Sequence, residues 1–205
     1  MLFVSFRSFM TMRKLLWLLP LTTILYACPF ESAVPMAAAP AEPVDSTLLG
    51  YWYGIVKDGS DFFGIEALDI TQKSDSVYAI TRYGKAVKGD IILPDTAYFS
   101  GFISYIDSQR FMNIEGSVVI RDTKNKKSPK MITTKVYYAS SIERRHDTLD
   151  VKTITENFSA RKFFNRPEDF AQAVSGLLNQ EKTVYDDQYS LKYRKIPKPQ
   201  PLKPF

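Results

Sequence analysis

The residues that build covalent or metal-held frameworks are nearly missing from this chain: it has one cysteine, Cys28, one histidine, His146, and two tryptophans in 205 residues. A single cysteine excludes an intramolecular disulfide. One cysteine and one histidine also cannot supply the ligand set of a structural zinc site, so no metal and no cofactor is expected. His146 lies in the charged run Glu143-Arg144-Arg145-His146-Asp147, which reads as an exposed turn and not as the base of a nucleophilic site. Gly-rich phosphate loops, Gly-x-Ser-x-Gly elbows and His-Glu-x-x-His helices do not occur. Charge of one sign is scarce too. The formal balance is +5, but Arg7, Arg13 and Lys14 fall in an apolar leader. Without them 24 basic residues face 22 acidic ones. That is too even for a polyanion-binding surface, so nucleic acid is not an expected partner.

The leader is the most explicit feature present. Met12, Arg13 and Lys14 precede an apolar run at 15–27, which has the length of a signal-peptide core and falls short of the roughly 20 residues of a spanning helix. The run ends Leu25-Tyr26-Ala27-Cys28. This resembles the lipobox of bacterial lipoproteins, with Tyr26 standing where a smaller residue is usual. The resemblance implies cleavage before Cys28, a diacylglyceryl thioether on its sulfur and often a further acyl chain such as palmitate on its amine. It also implies a place in the cell envelope, on the outer membrane facing the periplasm. Residues 1–27 are then a signal peptide, and because the segment from Met12 is already a complete signal, Met10 and Met12 are alternative starts to Met1. Residues 29–47, with four prolines and five alanines, read as an extended tether reaching up to roughly 60 Å.

From Leu48 on, strand-forming runs recur every ~8–12 residues between turn clusters, the pattern of an antiparallel sandwich or barrel. Met112, Ile114, Val118 and Ile120 alternate with Asn113, Glu115, Ser117 and Arg121, with Val119 an exception, as the pleat of a half-buried strand requires. The run from Tyr98 to Ile106 is apolar on both faces, as a strand does when it lines a cavity or lies beneath a helix. A strand at Ile91–Leu93 is expected to stop at Pro94-Asp95. One helix is predicted at 167–181, opened by Pro167, Glu168 and Asp169 and striped by Phe170, Val174, Leu177 and Leu178. Residues 183–194 suggest a last strand, and 196–205 a Pro-rich extended tail.

Gly50-Tyr51-Trp52 at the first strand resembles the Gly-x-Trp signature of lipocalin-like barrels. The resemblance implies a closed or nearly closed barrel over 48–195, with Trp52 near its floor and a hydrophobic pocket. The expected fold is therefore all-β: a single barrel or sandwich of about eight mainly antiparallel strands with one C-terminal helix packed on it. Trp52, Phe99, Ile103 and Tyr138 are the candidate pocket wall, and the same residues would serve a solid core.

Two further features bear on function. Glu66 alternates with Phe62, Leu68 and Ile70, which points it inward, either as a lone acid or as partner of a buried arginine such as Arg82. Glycosidase-type hydrolysis needs two acids. Arg121, Lys124, Lys126, Lys127 and Lys130 face only Asp122 in ten residues. This basic hairpin is either a solvated loop or a patch for anionic lipid headgroups. The leading expectation is a non-enzymatic, lipid-anchored envelope protein whose barrel binds a hydrophobic ligand or an envelope component. The alternatives are an assembly protein docking another envelope protein through the basic hairpin or tail, and a hydrolase using Glu66.

Overall fold

A computed structural model describes residues 29–58, 62–88, 91–122, 130–155, 163–180 and 184–199. The signal segment, Cys28, Lys124, Lys126, Lys127 and the tail from 200 lie outside the described residues. Eight strands follow in order: β1 (Gly50–Asp58), β2 (Phe62–Ser74), β3 (Val77–Lys88), β4 (Ile91–Ile106), β5 (Gln109–Asp122), β6 (Lys130–Arg145), β7 (Thr148–Ile154) and β8 (Tyr185–Ile196). Each pairs antiparallel with the next, and β1 closes on β8 through Tyr51↔Ile196 to Gly54↔Tyr193. The result is a closed up-and-down barrel, in which the first and last strands pair with each other.

Alternation sorts the side chains. Ile70, Ile80, Ile103, Met112, Ile142 and Leu149 point inward and form the inner core with Trp52, Tyr78 and Tyr193. A second core lies outside the barrel wall, where Ile106, Phe111, Ala139 and Ile154 are covered by the helix α1 (Pro167–Leu178). Burial of Phe170 and Val174, with Leu177 and Leu178 packed beside them, matches the expected stripe. The helix ends three residues earlier than the sequence suggests, at an Asn179-Gln180 turn whose N–H groups bond Ser175 O and Leu177 O. Arg166, which precedes Pro167, forms an ion pair with Asp169 in the first turn.

Two expectations need correction. Pro94 does not end a strand: β4 runs continuously from Ile91, with Pro94 opposite Lys85 of β3. Pairing of β4 with β5 begins only at Ser100. Pro94 therefore sits where one side of the strand has no ladder, the setting in which a strand tolerates a residue without an N–H.

Nor are residues 29–47 an extended tether. They form a strap laid over the barrel, with Phe30 and Met36 buried. Phe30 N–H bonds Ile154 O at 2.8 Å, and Ser32 exchanges hydrogen bonds with Tyr137 at 2.9 Å in each direction. Further along, Ala41 N–H reaches Ile103 O and Val44 N–H reaches Asp75 O, both at 2.8 Å. Phe30 meets Phe164 edge-on and Phe170 at a tilt, beside the stacked Phe164–Phe170 pair. Backbone groups of a Pro/Ala segment find partners on the barrel, and its few large apolar side chains fill the outer core.

Candidate functional site

The strap ends by closing one end of the barrel. Leu48 is 1% exposed and its carbonyl accepts the Trp52 indole N–H at 2.8 Å. Lys195 lies over the Trp52 ring, 5.2 Å from its centroid, and donates to Thr47 O. Trp52 thus stands at the floor, as the Gly-x-Trp resemblance implies. The opposite end carries the β1–β2, β3–β4 and β5–β6 connections.

Above this floor is a cavity of about 460 Å³. Its lower wall is apolar: Leu48, Ile70, Ile80, Met112, Ile142 and Leu149. Higher up it is lined by Leu68, Phe99, Ile114, Val151 and Leu191, together with the polar residues Glu31, Glu66, Arg82, Tyr138 and Tyr193. Of the four expected wall residues, Phe99 and Tyr138 line the cavity. Trp52 and Ile103 are packed solid at 0% exposure in the core that forms its base.

The polar groups are held in pairs. The Tyr193 hydroxyl donates to Glu66 Oε1 at 2.5 Å, and Arg82 Nη1 lies 4.0 Å from Glu66 Oε2. Glu66 therefore points inward and faces Arg82. This geometry depends on Gly54: a Cβ there would meet the Tyr193 ring at 2.8 Å. Burial, reinforced by the Glu66 charge, pushes the Tyr193 phenol well above its ordinary value. On the facing wall Tyr138 donates to Glu31 Oε1 at 2.8 Å. Burial and then this bond push its phenol up to about 12. Both tyrosines thus remain hydrogen-bond donors across the ordinary pH range.

Glu31 and Pro29 reach the cavity because residues 29–32 complete the barrel wall. Pro29 bridges Thr155 and Ser32 bridges Tyr137, extending the wall by a few residues past the last β6–β7 pair at Ser140↔Thr153. Alternation then turns Glu31 inward and Phe30 outward under α1. The sequence offered no strand signal here, because a four-residue insertion rich in tether-like composition carries no periodicity.

His146 is exposed and adopts φ 54° in the β6–β7 turn. Asp45-Ser46-Thr47 is a turn in which Thr47 N–H and Oγ1 both donate to Asp45 Oδ1. Arg121 and Lys130 fall at the ends of β5 and β6. Among the described residues, no group of three or more His, Cys, Asp or Glu converges as a metal site would. Nor is any described helix long and apolar enough to cross a membrane. No protein-family model, curated protein or solved structure matches the chain.

Proposed function

We propose that this is a non-enzymatic, lipid-anchored envelope protein whose lipocalin-like barrel holds one small hydrophobic molecule. The observation that carries this reading is the cavity itself: about 460 Å³, within the size range of small-molecule sites, apolar below and with a few fixed polar groups above. A ligand with an apolar body fits the lower wall. Its polar end meets the donors and acceptors of Tyr138, Glu31, Glu66 and Arg82. Two carboxylates against one guanidinium favour a neutral or cationic head over an anionic one.

The anchor belongs to the same proposal and rests on the lipobox resemblance at Cys28. Two or more acyl chains give stable membrane attachment where one gives marginal binding. The hydrolase alternative is weakened by the engagement of Glu66 with both Tyr193 and Arg82. Docking of another envelope protein through residues 124–127 or 200–205 falls on positions outside the described residues.

The test is titration with a neutral apolar fluorophore, N-phenylnaphthylamine, against wild type and Ile114→Trp. Ile114 lines the cavity, so a tryptophan there fills space without touching the floor. Saturable one-to-one binding that weakens about tenfold or more in the variant is expected. Absence of saturable binding, or equal binding by both proteins, would sink the reading.

A further inference from the structure

At the end of the barrel opposite Trp52, three hairpins outrun their neighbours. Strand β4 pairs with β5 only as far as Glu115, and β7 pairs with β6 only from Ser140. Residues 116–122 and 130–136 nevertheless remain paired with each other, from Gly116↔Val136 to Asp122↔Lys130. Among the described residues no third strand lies beside this ribbon, which is about 20 Å long at the usual strand rise. The β1–β2 ribbon likewise continues from Ile55↔Ile65 to Asp58↔Phe62, beyond the last β1–β8 pair at Gly54. The β3–β4 ribbon continues from Lys85↔Pro94 to Lys88↔Ile91, beyond the last β2–β3 pair at Gly84.

These ribbons are apolar where a water-exposed hairpin would be polar. Val119 is 61% exposed and Met131 67%, while Ile120 and Ile132, a cross-strand pair, are 47% and 41% exposed. Ile55 and Ile65 form another exposed pair. Six of the ten exposed large hydrophobics among the described residues thus fall on two ribbons at one end of the molecule, and three of the other four are tyrosines. Single exposed apolar residues are ordinary, but a cluster on both faces of a free ribbon marks a surface that something covers. The sequence suggests what. The segment 121–130, which joins the two strands of the β5–β6 ribbon, carries five cations and one carboxylate, a balance that complements an anionic lipid surface.

We propose that the open end of the barrel docks on a bilayer containing anionic lipid, with the β1–β2 and β5–β6 ribbons entering the interface and the cavity mouth facing the membrane. The position of Cys28 agrees. It precedes Pro29, which bridges Thr155 just past the end of β7, so the lipid-bearing residue leaves the barrel on the open-end side of β7, at the level where the β5–β6 ribbon begins. Only this last point rests on the proposed lipidation. The ribbons and their charge stand without it. Ligand and bilayer then share one doorway, and a hydrophobic molecule passes between membrane and cavity without crossing water.

The test uses the full chain reconstituted in vesicles of phosphatidylcholine and phosphatidylglycerol carrying brominated acyl chains. Single exposed positions are replaced by tryptophan: Met131→Trp and Ile55→Trp at the open end, Gln72→Trp at the closed end. Bromine quenching of the added tryptophan is expected to be at least twofold greater at positions 131 and 55 than at 72. It should fall by half or more when phosphatidylglycerol is omitted. Equal quenching at both ends, or quenching indifferent to phosphatidylglycerol, would overturn the proposal. So would absence of quenching accompanied by concentration-dependent dimerisation, which would make a second copy the occupant. N-phenylnaphthylamine binding, measured on the same proteins without vesicles, reports the cavity separately. Retained binding with failed quenching would remove the docking and leave the ligand site.

Discussion

Asn113 holds Met36 to the outside of the barrel: its side-chain Oδ1 accepts the Met36 N–H at 2.8 Å and the Ala37 N–H at 3.1 Å. Its Nδ2 donates to Ser104 Oγ at 2.8 Å. Asn113 occupies a position that alternation assigns to the outer, polar face of β5, yet it is 1% exposed because the strap covers it. The strap is therefore part of the fold, and its seam along the barrel is held by buried polar contacts as well as by Phe30 and Met36.

Replacing Asn113 by Ala leaves two strap N–H groups and the Ser104 hydroxyl without that partner. A loss of about 1–3 kcal/mol is expected from stranding buried groups of this kind. It should appear in denaturant unfolding, and amide exchange should accelerate first in residues 33–41. Exchange that rises uniformly over the chain would mean that the strap has no separate seam.

A second strap contact is electrostatic. Arg110 pairs with Glu42 and with Asp45 Oδ2, the latter at 3.2 Å. Burial pushes the Asp45 carboxyl up, but hydrogen bonds from Thr47 and Arg110 outweigh it and hold it below its usual 3.8. A depressed folded-state value gives stability that is present above about pH 4 and lost as pH falls through that value. The melting-temperature gap between wild type and Arg110→Met is therefore expected to be widest near neutrality and to narrow between about pH 5 and pH 2. A gap that stays constant through acidification would show that Arg110 acts by packing alone.

The Tyr193–Glu66 contact makes a local prediction about glycine. In Gly54→Ala the new Cβ meets Tyr193 Cδ1 at 2.8 Å and the Lys192 carbonyl at 3.2 Å. Part of that crowding is against backbone, so the ring has to tilt away from Glu66. A destabilisation of about 1–3 kcal/mol is expected, as for other overpacked cores. Tyr193→Phe removes the same hydrogen bond without the clash. If the ring's displacement is what Gly54→Ala costs, the two changes will be non-additive in a double-mutant cycle. Simple addition would separate Gly54 from the polar cluster.

Much of the barrel could be read from residues alone. Period-2 alternation in β5 and β6, turn clusters between strands and the Phe170/Val174 stripe of α1 are local signals, and the structure agrees with them. Phe99, Tyr138 and the inward Glu66 were legible for the same reason. What escaped depends on long-range pairing. Nothing near Pro29 or Glu31 marks them as barrel wall, because their partners Thr155 and Tyr138 are more than 100 residues away. Ile103 was legible as an inward residue but not as floor, since depth along a barrel is set by register among several strands. Pro94 misled because a proline ends a central strand, whereas the ladder here is one-sided.

The central claim is that the barrel interior is a binding site and not a leftover void. Native mass spectrometry of wild type and Ile114→Trp, released gently from the envelope in which each is made, tests it most directly. One bound hydrophobic molecule per chain is predicted on the wild type, absent or strongly reduced on the variant whose cavity is filled. An adduct on neither protein, or the same adduct on both, would contradict the claim.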